Sequence, residues 1–276
     1  MRRPSDAAPA DSAQAGSEPR RGSLVIVGTG IKLVAHATAE AVACIQRAEK
    51  VFHLVTDPAV DAWIARLNPS AESLEDCYAP GKPRDTSYRE MEDRMLVGVR
   101  SGLHVCGVFY GHPGVSATAP HRSIRRARRE GFAARMLPGI STADCLFADL
   151  GVDPGDNGCQ SFEATDFLAA RRRFDPTSPL ILWQVGVLGE PSIRDKMTCR
   201  PERLLVLTDY LRRSYPANHP IVLYEAAQFP ICDPKMKRVR LGHLPRETIE
   251  PMTTLYVPPR SQRRDDSKIM RWFDEP

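Results

Sequence analysis

The chain has 276 residues, 42% of them apolar and 26% charged, the composition of a globular protein with one large domain or two of ordinary size. Against 38 Lys+Arg stand 34 Asp+Glu, and a formal net charge of +4 is too small a surplus to argue for a nucleic-acid partner. The seven cysteines form no CxxC pair, which speaks against a zinc site or a disulfide framework, and no apolar run reaches the roughly 18 residues of a membrane helix. The expectation is a cytoplasmic protein with reduced thiols, no metal and no membrane partner.

Residues 1–22 are rich in Ala, Pro, Ser, Asp and Arg and have no apolar h-region, so they read as a disordered tail and not as a signal peptide. Order begins at Ser23. Leu24 to Val27 reads as a buried strand, followed by Gly28-Thr29-Gly30 and an amphipathic helix from about Thr38 to Ala48. Strand, Gly-x-Gly and helix hint at a nucleotide site, but Leu33 stands where a dinucleotide fingerprint has its third glycine. Val51 to Val55 is a second strand, ending at Thr56-Asp57-Pro58. Asp57 could serve as the ribose-binding acid of a dehydrogenase, although its distance from Gly30 is longer than that fold prefers.

Residues 76–88 hold two prolines and a glycine, and read as a loop leading into a helix from about Ser87 to Ser101. The loop gathers Tyr78, Arg84 and Tyr88; the plainer reading takes them as ordinary surface residues. Val105 to Val115 is the stretch the chain is organised around. It starts as a buried parallel strand and ends in the turn Gly111-His112-Pro113-Gly114, with Tyr110 beside it. Ligands of open α/β sheets sit at such carboxyl ends, where glycine lets them approach the backbone.

A helix follows through His121 to Glu130. Its arginines, Arg122, Arg125, Arg126, Arg128 and Arg129, are first a solvated face and second a site for an acidic peptide. Ala134 to Leu137 is a third strand, closed by Pro138-Gly139-Ile140-Ser141, and Ser141 or Thr142 can cap the helix from Ala143 to Leu150. Strand, turn and helix repeating in this way predict a parallel sheet. Gln160 to Thr165 is one more strand, and Asp166 to Arg173 a short basic helix. The proline-bearing link Asp175 to Pro179 marks a boundary between an N-terminal α/β domain (23–175) and a smaller C-terminal one (176–260). Strands at Leu180 to Gly186, Ile221 to Ala227 and Met252 to Val257, and a helix from Pro201 to Ser214, belong to the second. Residues 261–276 read as a charged, frayed tail with an apolar Trp272-Phe273 patch.

Taken together the motifs resemble the tetrapyrrole-methylase superfamily of S-adenosylmethionine (SAM) dependent methyltransferases. They are Val27-Gly28-Thr29-Gly30, Tyr110-Gly111-His112-Pro113-Gly114, Leu137-Pro138-Gly139-Ile140-Ser141 and the strand at Leu223 to Ala227. Within it the chain is most similar to the borosin peptide α-N-methyltransferases, through Phe109 to Val115, Met136 to Gly139, Leu146 to Leu150, Trp183 to Gly186 and Tyr256 to Pro259. The resemblance covers about residues 22–260 in one order. It implies two α/β domains of the class III methyltransferase type with SAM in the cleft between them, a homodimer, and a peptide substrate.

By motif match the resemblance implies cofactor contacts from Gly28, Gly30, Tyr110, His112, Val115, Ser141, Thr142, Gln184, Ala226 and Thr254. It assigns Tyr78, Arg84, Tyr88 and Tyr110 to the methyl-transfer site. Thr142 departs from a small Ala in relatives, and Ala79-Pro80 is stiffer than their loop. Fungal members run on through a helical clasp to a core peptide of their own. The chain ends at Pro276 without such a segment, so the expectation is a separate precursor peptide, as in split bacterial systems. Tyr88 is expected to take the amide proton with the charge of Arg84 beside it, Tyr78 to bond the amide oxygen, and Tyr110 to position water or the methyl donor. Two other readings stand beside this one: a methyltransferase of a tetrapyrrole or other small molecule, and a peptide-binding regulatory module with a vestigial SAM site. The dehydrogenase reading comes last.

Overall fold

The structure, a computed structural model, describes residues 22–55, 57–190, 199–261 and 267–274. Most of the stretch expected to be a disordered N-terminal tail therefore lies outside the described residues. The first half alternates strand and helix: β1 (Ser23–Gly28), α1 (Ala39–Arg47), β2 (Lys50–Leu54), α2 (Pro58–Leu67), β3 (Ala71–Ser73), α3 (Arg84–Arg100), β4 (His104–Phe109), α4 (Thr118–Arg129), β5 (Ala133–Met136) and α5 (Thr142–Leu150). Its sheet is parallel throughout, in the order β3-β2-β4-β1-β5. Both faces are covered, which is why β1 and β4 read as continuous apolar runs. Leu24 and Ile26 of β1, with Val105 and Phe109 of β4, pack toward α3 and α4. Val27, Cys106 and Val108 pack toward α1 and α2 on the opposite face.

The second half holds α6 (Pro154–Asn157), β6 (Gln160–Glu163), α7 (Ala164–Ala169), β7 (Leu180–Trp183), α8 (Pro201–Leu211), β8 (Pro220–Glu225), β9 (Lys235–Arg240), β10 (Thr254–Val257) and α9 (Ser267–Asp274). Its sheet, β6-β7-β10-β8-β9, is mixed: β6 runs parallel to β7, and every other pairing is antiparallel. Leu180, Leu182, Leu223, Leu255 and Val257 form a core with α7 and α8. The other face, Ile181, Val222, Tyr224 and Tyr256, is covered by Cys145 and Leu146 of α5 and by Ile31. Helix α5 thus follows the first sheet in sequence and packs on the second.

Several expectations shift. β6 pairs with β7 across Gln160 to Glu163, so the second sheet begins upstream of the Asp175–Pro179 link. α3 starts at Arg84, not Ser87, so Arg84 and Tyr88 stand one turn apart on a helix and only Tyr78 of the trio is on the loop. Pro83 leads directly into this first turn, and Asp85 there suits the positive end of the helix dipole. Asp57, weighed as a ribose ligand, caps α2: its carboxylate accepts the Ala59 N–H at 2.7 Å, with Pro58 in the first turn. Ser267–Asp274 is helical where a frayed tail was expected.

At the carboxyl ends of β1, β4 and β5 three turns meet backbone to backbone. Gly30 N–H donates to the Gly111 carbonyl at 3.2 Å, and Gly111 N–H returns to Gly30 at 3.0 Å. A Cβ on Gly28 would stand 2.1 Å from the Gly111 oxygen, and one on Gly139 2.9 Å from it. Gly28→Ala is therefore expected to destabilise the fold by about 3 kcal/mol or more through overpacking against rigid backbone. Gly131→Ala, in open space at φ +83°, should cost only about 1 kcal/mol of backbone strain. Chemical denaturation of the two variants checks this; equal midpoints would show that the turns yield to a methyl group.

Candidate functional site

Between the two sheets lies a cleft of about 460 Å³. Its floor comes from the first half: Leu54 at the end of β2, Phe109 and Tyr110 at the end of β4, the Gly111-His112 turn, and the start of α5. One wall is Tyr78 with Arg84, Tyr88 and Met91 of α3; the facing wall is Trp183, Gln184, Val187, Pro251, Met252 and Thr254 of the second half.

Of the residues singled out from the sequence, ten line this cleft: Tyr78, Arg84, Tyr88, Tyr110, His112, Val115, Ser141, Thr142, Gln184 and Thr254. Gly28, Gly30 and Ala226 do not. The two glycines sit behind Gly111, where bare backbone lets protein approach protein. Ala226 packs with Tyr110 and Ile140 in the apolar seam. The sequence reading missed Leu54, Met91, Trp183, Pro251 and Met252 as site residues. A run of apolar letters does not say which member turns toward a cleft. Trp183 stands next to Gln184, and that adjacency is the one signal that could have found it.

His112 is fixed by its own turn. Its Nδ1 accepts the Gly114 N–H at 2.9 Å, so the neutral ring carries its proton on Nε2 and offers the cleft a donor, not a base. His121 of α4 donates Nε2–H to the Gly114 carbonyl at 2.9 Å and closes the turn from the other side. Ser141 and Asp144 form a capping box on α5, with the Ser141 N–H and hydroxyl on one Asp144 oxygen at 2.6 and 2.7 Å. Burial opposes the Asp144 charge, but these hydrogen bonds prevail and hold its carboxyl below the usual range.

The facing wall stores backbone strain. Gln184 sits at φ 58°, ψ 32°, and opens a 3₁₀ turn, Val185–Val187. Gly186 in that turn lies so close to the Glu250 carbonyl that a Cβ would stand 1.9 Å from it. This approach carries Pro251 and Met252 to the cleft. Ser116, at the mouth, is a second non-glycine residue with positive φ (51°). Such conformations cost about 1 kcal/mol or more each and cluster at functional sites.

The tyrosines differ in surroundings. Tyr78 and Tyr88 meet edge to face, ring centroids 6.5 Å apart. Burial first, and then Tyr88, raise the Tyr78 phenol well above the ordinary tyrosine range, against the pull of Arg84. Burial, helped by Cys145, pushes Tyr110 up to about 12. Arg84 makes no ion pair among the described residues, because Asp85 beside it pairs with Arg89 and Arg122. Among the described residues it is the sole permanently charged side chain lining the cleft, and none of them brings a carboxylate to it. The arginine cluster on α4 is largely structural: Arg122 pairs with Asp85, Arg126 with Glu92, Asp93 and Glu130, and Arg128 caps the Ala134 carbonyl.

The chain belongs to the tetrapyrrole (corrin/porphyrin) methylases, whose family model matches residues 23–244. It is 41% identical over 263 residues to the methyltransferase/ribosomally synthesized cyclic peptide gymnopeptides precursor of Gymnopus fusipes, covering 94% of this chain and 62% of that one. To the corresponding omphalotin A precursor of Omphalotus olearius it is 40% identical over 259 residues, 92% of this chain and 62% of the other. The chain thus spans about three fifths of the length of these relatives. Among solved structures, the uroporphyrin-III-C-methyltransferase of Thermus thermophilus superimposes with a TM-score of 0.62 at 19% identity, over 87% of this chain and 93% of that one. The cobalt precorrin-4 methyltransferase does so at 0.62 and 18%, over 88% and 97%. The fold is that of the class III SAM methyltransferases.

The raised Tyr110 phenol has a consequence for stability. Free tyrosine ionises at about pH 10, so above that pH the unfolded chain releases a proton that native Tyr110 keeps up to about pH 12. More protons on the native state mean that stability falls as pH rises through this window. Tyr110→Phe is expected to flatten the loss of melting temperature between about pH 9 and about pH 11.5. Identical slopes for the two proteins would show that Tyr110 ionises like a free tyrosine.

Proposed function

We propose that this chain transfers methyl groups from SAM to backbone amide nitrogens of a peptide. The observation that carries the reading is the wall of Tyr78, Arg84 and Tyr88 on the cleft of a methylase fold, with Tyr110 lining the same space. The relatives whose names join a methyltransferase to a cyclic-peptide precursor support a peptide as the acceptor.

The cleft suits the cofactor. About 460 Å³ is within the range of small-molecule sites. Ile31, Phe109, Trp183 and Met252 offer apolar surface for a base, and Ser141, Thr142, Gln184, Thr254 and the His112 Nε2–H offer a few polar groups to orient the rest. SAM, when bound, supplies an electrophilic methyl group on a sulfonium and leaves as S-adenosylhomocysteine.

The protein's part is to make an amide nitrogen reactive. Its lone pair is delocalised into the carbonyl, so the N–H proton must leave and the oxygen must carry developing negative charge. Tyr88, acting in its phenolate form, takes the proton directly or through water and then releases it to solvent. Tyr78, kept a phenol by burial, donates a hydrogen bond to the amide oxygen. Arg84 adds an uncompensated positive charge, and Tyr110, on the same cleft, would position water or the methyl donor. The apolar walls exclude water and sharpen these interactions. A homodimer, implied by the family resemblance, and a precursor peptide accepted as a separate chain complete the proposal.

The test supplies candidate peptides separately to the purified chain with SAM and reads intact and tandem mass spectra. Mass steps of one methylene per transfer, localised to backbone nitrogens, are expected. Tyr88→Phe should lower turnover by about 100-fold or more while SAM affinity stays within about twofold. Unmodified peptides together with methyl transfer to a tetrapyrrole would overturn the acceptor, and full turnover by Tyr88→Phe would remove Tyr88 from its role.

A further inference from the structure

Tyr78 stands on a segment with little regular structure of its own. A 3₁₀ turn, Glu75–Cys77, precedes it. After it comes a turn closed by the Lys82 N–H on the Ala79 carbonyl at 3.1 Å, with Gly81 at φ +75° and open space where its side chain would be. Such a segment does not by itself hold a phenol to within a few tenths of an ångström of a reacting amide.

The Tyr78 N–H bonds back to the Glu75 carbonyl at 2.9 Å, and what joins this turn to α3 on the Tyr88 side is an ammonium. Lys82 Nζ donates to the Cys77 carbonyl at 2.7 Å and pairs with the Glu90 carboxylate on α3. Cys77 is the residue entering Tyr78, and Glu90 lies two residues past Tyr88 on the helix that also carries Arg84. The Lys82 side chain is 22% exposed and that of Glu90 45%, so the pair is partly open to solvent, and the bond to the Cys77 carbonyl is its more sheltered half. A second cation divides the task. Arg94, further along α3, holds Glu72, Asp76 and the Ser73 carbonyl and donates to the Cys77 thiol at 3.5 Å, and so secures β3 and the 3₁₀ turn. Of these two cations, Lys82 is the one that bonds the Cys77 carbonyl, in the peptide group that enters Tyr78.

We propose that Lys82 is a positioning residue for methyl transfer, a clasp that sets Tyr78 against Tyr88 by joining the Cys77 carbonyl to Glu90. This rests on the reading in which Tyr78 bonds the acceptor amide. Lys82 does not line the cleft, so its loss should leave binding intact and misplace one donor.

The test compares Lys82→Met and Lys82→Arg with the wild-type chain. Lys82→Met is expected to lower kcat for peptide methylation by about tenfold to a hundredfold, with SAM Kd and peptide KM within about twofold. Lys82→Arg, which keeps the cation and its donors, should recover kcat to within about threefold of wild type. A kcat unchanged in Lys82→Met, or lost equally in both variants, overturns the proposal. If the wild-type chain itself methylates no peptide, the acceptor reading falls, and amide hydrogen exchange over residues 77–83 decides the clasp. Exchange at least about tenfold faster in Lys82→Met, with Lys82→Arg like wild type, supports it; equal exchange in all three overturns it.

Discussion

The cleft depends on a contact in which no side chain takes part. At the carboxyl ends of β1 and β4 the turns exchange two backbone hydrogen bonds, Gly30 with Gly111, and the β5 turn presses Gly139 onto the same carbonyl. Gly111 holds a left-handed conformation to do this, at φ +69°. With any Cβ at Gly28 the strands could not close, and the Gly111-His112 floor and the α5 terminus with Ser141 would move apart. The Gly28-Thr29-Gly30 motif therefore has a packing role of its own. A glycine lets backbone approach something closely, and here that something is the protein's own peptide oxygen.

From this floor the second sheet takes its place. α5 leaves the β5 turn and lays Cys145 and Leu146 on the face that carries Ile181, Val222, Tyr224 and Tyr256. Two polar ties secure the seam. The Tyr224 hydroxyl donates to Asp149 at 2.6 Å, and the Leu33 N–H donates to the Gln228 carbonyl at 2.8 Å. A buried tyrosine needs such a partner, and one reaching from α5 makes the partner a link between halves. The left-handed Gln184 and the close approach of Gly186 to Glu250 then bring the far wall to the cleft.

How much of this was legible in the sequence follows from which forces act locally. The strands β1, β2, β4, β7, β8 and β10 announce themselves as apolar runs because burial on both faces leaves little other composition for them. The edge strand β9 does not. Lys-Met-Lys-Arg-Val-Arg is exposed nearly throughout, and its pairing with β8 is a non-local fact that no window of residues contains. Asp57 shows the opposite failure, a motif letter with a local job: a carboxylate after a strand looks like a ribose ligand until a Pro-led helix is seen to start on it. The gathering of ten expected residues on one cleft came through ordered family motifs. The opposing wall of Pro251 and Met252 carried no motif and follows from a backbone approach to Gly186.

Charge accounting separates Arg84 from every arginine near it. Asp85, next in sequence, is taken by Arg89 and Arg122; Glu92 and Asp93 are taken by Arg126; and Glu72 and Asp76 by Arg94. The acidic groups of α3 and its surroundings are thus committed to the frame, and none of them lines the cleft. An arginine with a carboxylate partner has its field largely cancelled at the distance of a ligand. An unpaired one in a partly dry cleft keeps that field for whatever charge develops there. On the proposed reading that charge is the oxygen of an amide losing its proton, beside a phenol that burial prevents from ionising. A carboxylate among these residues would bind Arg84 in the resting enzyme and oppose the anion in the reacting one. The pairing that binds α3 to its neighbours is, by the same argument, what leaves Arg84 free.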